Sequence, residues 1–185
     1  MNSRNLVTSD KGTELFPEVD EAGNVVGQMS RAEAHDGTKR LHPVVHLHVF
    51  NSEGELYLQH RAKWKSVQPD KWDTATGGHV DLGEDVMMAL AREVYEEIGL
   101  ASDCYIPKLV KTYIYENNIE RELVYVFTTE YDGELFPSPT ETQGGKFWPL
   151  SDIRAAIGKN ILTPMFEKEV LFLIPAAEPG SKNRS

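Results

Sequence analysis

The chain has 185 residues, 40% hydrophobic and 26% charged, with a formal net charge of −10. That suits one globular domain with a real core and excludes general disorder. The negative balance argues against a nucleic-acid polymer as partner, no apolar run nears the roughly 20 residues of a membrane span, and the lone Cys104 cannot form an internal disulfide. The N-terminus lacks an apolar signal core, and a single cysteine suits a reducing compartment, so a cytoplasmic location is expected. Residues 1–13 read as a flexible N-terminus, 14–175 as the folded domain and 176–185 as a flexible tail.

In chain order, "LFPEVDEAGNVVGQMSR" predicts a hairpin turning at Gly23-Asn24, with a short helical turn starting at Ser30. "HPVVHLHVFN" alternates and is rich in β-branched residues, which predicts a strand. "SEGE" turns it back into "LYLQHRA". "KWKSVQPDKW" is a loop, and "WDTATGGHV" is strand-like up to its glycines. The strongest helix signal follows. Gly83, Glu84 and Asp85 open it with acids in the first turn, and Gly99 closes it. Met87, Leu90, Ala91, Val94 and Ile98 form one apolar stripe, and Glu93, Glu96 and Glu97 a neighbouring one. Strands are expected at "KLVKTYIYE", "ERELVYVFTTEY" and "GKFWPL". Two helices close the chain, one capped by Ser151 and one with Pro164 near its start. Strands and helices mix without regular βα alternation. The fold expected is therefore an α/β/α sandwich around a mixed sheet, with the N-terminal hairpin as an extension.

Three carboxylates on one helix flank repel one another. Hard divalent cations offset that repulsion, and Mg²⁺ in particular binds oxygen ligands and substrate phosphates together. For Glu96 and Glu97 alone, a solvated acidic face is the simpler account. The longer pattern is more specific. Gly78, Glu84 and "REVYEEIGL" from Arg92 to Leu100 resemble the Nudix box at every specified position. The resemblance implies hydrolysis of a diphosphate linkage, with a nucleoside diphosphate derivative as the general substrate class. It implies that Glu93, Glu96 and Glu97 ligate Mg²⁺ or Mn²⁺ with help from the Gly78 carbonyl, that Arg92 orients the glutamates, and that Glu84 supports the helix start.

The stretch from Arg31 to Glu84 also resembles the Nudix-fold isopentenyl diphosphate isomerases and their hydrolase-like relatives. That resemblance implies a second metal site, with His35, His42 and His79 as nitrogen ligands and Glu120 and Glu122 as oxygen ligands. Residues two apart on a strand face the same way, so both carboxylates can reach one ion. A mixed His/Glu set accepts Mg²⁺, Mn²⁺ or Zn²⁺. Arg31, Arg61 and Lys65 match basic positions that hold the diphosphate. His46 and His48 read as ordinary strand histidines. One departure matters: the isomerases carry a cysteine just before the Gly-His pair, where this chain has Gly77. Glycine cannot move a proton, so hydrolysis is expected ahead of isomerisation, with a non-catalytic diphosphate-binding module ranked third. Glu122 is then a metal ligand or a general base. A homodimer is compatible with the fold.

Overall fold

Two long strands carry the architecture, because most of their residues are buried on both faces. In the computed structural model, which describes residues 14–65 and 67–174, β3 (Leu41–Phe50) is buried along nearly its whole length. It runs parallel to β8 (Arg121–Glu130), with Leu41 opposite Arg121 and Phe50 opposite Glu130. A strand covered on both faces cannot alternate cleanly between apolar and polar. The flexible segments expected at the two termini lie outside the described residues.

Upstream, β1 (Leu15–Val19) and β2 (Val25–Ser30) form a separate antiparallel hairpin. Ser30 caps α1 (Arg31–Ala34) in a reciprocal capping box with Glu33. β3 turns into β4 (Leu56–Arg61), but the two pair only at Phe50 and Leu56. From there β3 pairs with β6 (Thr76–His79), while β4 pairs with β5 (Trp72–Asp73) and with β9 (Thr142–Trp148). β7 (Lys108–Glu116) completes the mixed sheet beside β8.

Helices cover both faces. α2 (Val86–Ile98) packs Ala89, Leu90, Val94 and Ile98 against Val45, Leu47, Val49 and Phe127. On the opposite face, Met165, Phe172 and Leu173 of α4 (Pro164–Leu173) meet Val44, Val124 and Val126. Ile153 and Ala156 of α3 (Leu150–Ala156) join Phe166 and Val170 over Leu56 and Leu58. The expected α/β/α sandwich and its N-terminal hairpin are present. No helix among the described residues is long and apolar enough to cross a membrane.

Several local expectations change. The strand predicted at "WDTATGGHV" is two short strands, because β5 pairs with β4 and β6 with β3. α2 starts at Val86, and Asp85 is its N-cap rather than a first-turn acid, accepting from the Met88 N–H. Its buried seam runs through Val86, Leu90, Val94 and Ile98 at a spacing of four, joined by Ala89. Met87, predicted inward, is exposed. Ser151 does not cap α3: Pro149 is the N-cap, and the Ser151 hydroxyl bonds Asp152 instead.

Candidate active site

β6 is the hinge of the site, because successive residues on a strand point to opposite faces. Thr76 and Gly78 look toward α2. The Thr76 hydroxyl donates to Glu97 Oε2 at 2.6 Å, and a Cβ placed on Gly78 would lie 2.0 Å from Cδ of Glu93. Only glycine lets that carboxylate sit against the backbone. Gly77 and His79 look the other way. A Cβ on Gly77 would meet Cδ2 of His46 at 2.8 Å, and the His79 ring stacks flat on Phe16 of the hairpin, centroids 4.4 Å apart.

On the α2 face, Arg92 braces the carboxylates. Its Nε and Nη2 donate to the two oxygens of Glu84, each at 2.9 Å. Nη1 donates to Glu93 Oε1 at 2.7 Å, and Nη2 also donates to the His79 carbonyl at 3.0 Å. This fork locks the loop before α2 to the helix flank. The hydrogen bonds from Arg92 hold the Glu84 carboxyl below the usual carboxylate range. Glu97 receives no such cation. Its Oε2 accepts from Thr76, from the Gly77 N–H at 3.2 Å and from Gln59 at 3.3 Å, yet burial still pushes its carboxyl up to about 7. Burial also raises Glu93, against the pull of Arg92. Glu96 differs from both: its side chain is 58% exposed and reaches only the rim, 3.6 Å from Arg92.

The opposite face gathers histidines. Nδ1 of His35 lies 2.7 Å from the Arg31 carbonyl, and Nδ1 of His42 lies 3.1 Å from the Arg40 carbonyl. A carbonyl only accepts, so each Nδ1 carries the proton. In neutral His42, Nε2 then offers its lone pair, the arrangement second-shell partners impose on metal-binding imidazoles, whereas His35 Nε2 donates to Glu120, and that hydrogen bond raises its basicity. His35, His42 and His79 each place a ring nitrogen within 4.8 Å of the others. Parallel pairing sets Glu122 directly across from His42. Glu120 Oε2 lies 3.1 Å from His35 Nε2, and Asn117 donates to its other oxygen at 2.8 Å.

Those residues fit a divalent cation. His42 Nε2, His79 Nε2 and Glu122 Oε2 are buried with no hydrogen-bond partner among the described residues. Orphaned buried polar atoms are costly, and a cation among the three histidines would satisfy those of His42 and His79. Burial lowers the basicity of His42 and drives that of His79 well down, with the neighbouring His42 adding to the effect. Both rings are thereby kept neutral, as ligation requires. Burial, then the charge of Glu120, pushes Glu122 up to about 7.

The three basic residues expected to hold the diphosphate are already engaged. Arg31 pairs with Glu14 at 2.8 Å; its charge adds to the burial that lowers His42 and His79, while the Glu120 hydrogen bond outweighs it and raises His35. Arg61 pairs with Asp73 at 3.0 Å and donates to the carbonyls of Val67 and Gln68, so it pins the β4–β5 loop. Lys65 pairs with Glu141. Sequence reasoning passed over one cluster. His46 and His48 both reach Glu169 of α4, and Tyr113 donates to the same carboxylate. The available signal was Glu169, directly before the apolar run "VLFLI", together with the alternating His-x-His strand.

A family model described as the NUDIX domain matches residues 40–168. Isopentenyl-diphosphate Delta-isomerases 1 and 2 of Photorhabdus laumondii are 30% and 32% identical to this chain. They align over 82% and 84% of it and 89% of each relative. A crystal structure of a Deinococcus radiodurans protein superposes with a TM-score of 0.74 at 24% identity, covering 85% of this chain and 97% of that one. The MutT protein of Methanosarcina mazei gives 0.61 at 23% identity, over 71% and 91%. The structural likeness speaks for the fold; the matched domain and the sequence relatives speak for descent. This chain belongs to the Nudix family, among sequences similar to isopentenyl-diphosphate isomerases.

Proposed function

We propose that the protein hydrolyses a diphosphate linkage in a small phosphorylated substrate, with nucleoside diphosphate derivatives as the first class to test. The observation that carries this reading is the pair Glu93 and Glu97, buried against β6 with Gly78 left bare to admit them. Arg92 is committed to Glu84 and Glu93, so Glu97 has no cation of its own among its hydrogen-bond partners. Mg²⁺ or Mn²⁺ at this flank, when bound, would draw charge from a diphosphate and make water a better nucleophile. Glu93 and Glu97 would hold it, with Glu96 at the rim and the Gly78 carbonyl alongside. Arg92 keeps Glu93 in its rotamer. His35, His42, His79, Glu120 and Glu122 would hold a second cation on the other face. Glu122, with its carboxyl near 7, serves there as ligand or takes a proton from water. Arg31 and Lys65 would exchange Glu14 and Glu141 for phosphate oxygens.

A second reading is isomerisation of isopentenyl diphosphate, favoured by the names of the relatives. Gly77 stands against it. The position has no side chain, and its open side is taken by the His46 ring. Cys104 is exposed beyond α2, with its thiol on Asp103.

The test is a panel of nucleoside di- and triphosphates, dinucleotides, nucleotide sugars and prenyl diphosphates with Mg²⁺ and Mn²⁺. Phosphate or monophosphate release from at least one member is expected. Deuterium uptake from D₂O into isopentenyl diphosphate, without any release, would replace hydrolysis by isomerisation.

A further inference from the structure

Outside the two cation clusters, four side chains close a buried network between α4 and the sheet. Glu169 is fully buried. Its Oε1 accepts from His46 Nδ1 at 2.8 Å and from the Tyr113 hydroxyl at 2.8 Å. Its Oε2 lies 2.6 Å from His48 Nε2. The two histidines then part company. The remaining nitrogen of His48 meets the Thr74 hydroxyl at 3.3 Å, and its side chain is wholly buried. The remaining nitrogen of His46 has no hydrogen-bond partner among the described residues, and its side chain is 11% exposed. His46 stands directly across from Gly77 in the β3–β6 register. A Cβ there would approach Cδ2 at 2.8 Å and Nε2 at 3.0 Å. Nothing on residue 77 covers that ring edge.

We propose that His46 contacts the substrate: held by Glu169, it donates a hydrogen bond from Nε2 to a non-bridging oxygen of the bound diphosphate, across the bare backbone of Gly77. The assignment rests on reading the cleft as a diphosphate site, and it adds a residue to that reading. Gly77 is flanked by both cation sites. Its own N–H goes to Glu97, and His79 lies two residues along the strand on the His46 side. A diphosphate oxygen held beside Gly77 would meet the uncovered imidazole edge. The ring is suited to donate. Burial works against charge on His46, but the Glu169 carboxylate outweighs it, with Asp73 and Glu122 acting in the same direction, and pushes the imidazole up to about 9. Both ring nitrogens then carry hydrogen. A purely structural His–Glu pair would have its second nitrogen satisfied inside the core, as His48 has.

The test uses methylenediphosphonate, which is not hydrolysed, with Mg²⁺ and the full chain. Calorimetry reads binding, and ¹⁵N-histidine spectra read the ring nitrogens of the wild-type protein. The Nε2 resonance of His46 is expected to move on saturation. His46→Gln, checked for folding by its thermal transition, is expected to bind on the order of ten- to a hundredfold more weakly. Measurable binding that leaves the His46 Nε2 resonance in place overturns the assignment while sparing the hydrolase reading. If methylenediphosphonate does not bind and no diphosphate is cleaved, the hydrolase reading falls, and this contact falls with it.

Discussion

The two faces of β6 solve the same problem in different ways. Toward α2, carboxylates gather from one contiguous segment, and a single arginine ties Glu84, Glu93 and the His79 carbonyl together. Toward α4, His35 at the end of α1, His42 on β3, His79 on β6 and Glu122 on β8 come from four separate elements, and three of their polar atoms are buried without partners among the described residues. The first face is largely satisfied by its own chain. The second leaves three buried polar atoms unsatisfied among the described residues. Local sequence builds a braced acidic flank; only tertiary structure builds a convergent histidine cage.

The largest expected effect lies deep on the histidine face. Glu169→Ala leaves His46 and His48 buried without their shared carboxylate. Breaking a buried charge network by removing one partner costs about 3–5 kcal/mol, so urea unfolding should shift by that order with an unchanged m-value. A loss under about 1 kcal/mol would mean the network behaves like a surface ion pair, and the contrast drawn between the faces would weaken.

On the α2 face the expected loss is catalytic. Glu97→Gln keeps the shape and the contacts with Thr76 and Gly77 but removes the charge a cation needs. Turnover of a substrate found in the diphosphate panel should drop by about 10²–10³-fold, the scale on which pre-placed electrostatic groups act. Glu96→Gln should cost only about tenfold, because Glu96 is rim-exposed and 3.6 Å from Arg92. Equal losses in the two variants would erase the distinction between the inner and outer carboxylates of one helix.

This asymmetry also explains what could be read from the chain alone. The acidic flank was legible because Glu93, Glu96 and Glu97 recur at helical spacing, and because Gly78 and Arg92 lie within the same short segment. Spacing could not say that Glu96 points outward, since that depends on where β6 lies against α2. The mixed sandwich was legible from strand and helix patterns, but the division of "WDTATGGHV" was not, because it follows from two different pairing partners. The histidine set came from a family resemblance, not from spacing. The His46–Glu169 contact spans 123 residues, and no local pattern encodes such a meeting.

Both faces respond to pH through carboxylates raised by burial, and metal should reverse the response. Glu97 and Glu122 have their carboxyls pushed up to about 7 from an ordinary 4.5. Between those values the folded metal-free protein keeps protons that the unfolded chain has shed. Their contribution to its stability therefore falls as pH rises through that window, then levels off above 7. His42 and His79 act oppositely: held below 6.5, they cost stability as pH falls through 6.5. Comparing melts with and without Mg²⁺ isolates the carboxylate part. Mg²⁺ affinity should climb with pH up to about 7, by at most about tenfold per unit for each proton displaced. The Mg²⁺-induced rise in Tm should be larger at pH 8 than at pH 5.5. Glu97→Gln should flatten both trends on the α2 side. A pH-independent Mg²⁺ effect would show that cations bind elsewhere.

The smallest effect concerns the strand between the faces. Gly77→Ala puts a methyl 2.8 Å from the His46 ring, closer than carbon atoms sit without a shift. The ring cannot swing freely, because Nδ1 is tied to Glu169. Overpacking of this kind costs on the order of 1 kcal/mol. Trimming the ring makes room, so Gly77→Ala should be milder in a His46→Ala background than in the wild type. Residues in contact couple by about 0.5–3 kcal/mol in such cycles. The same cycle bears on the missing cysteine. Gly77→Cys alone should not yield deuterium exchange into isopentenyl diphosphate, because the thiol would contend with His46 for one space. Exchange by that single variant would show that His46 does not guard the position; its appearance only with His46→Ala would identify the pair, rather than residue 77 alone, as the element that separates this chain from the isomerase chemistry.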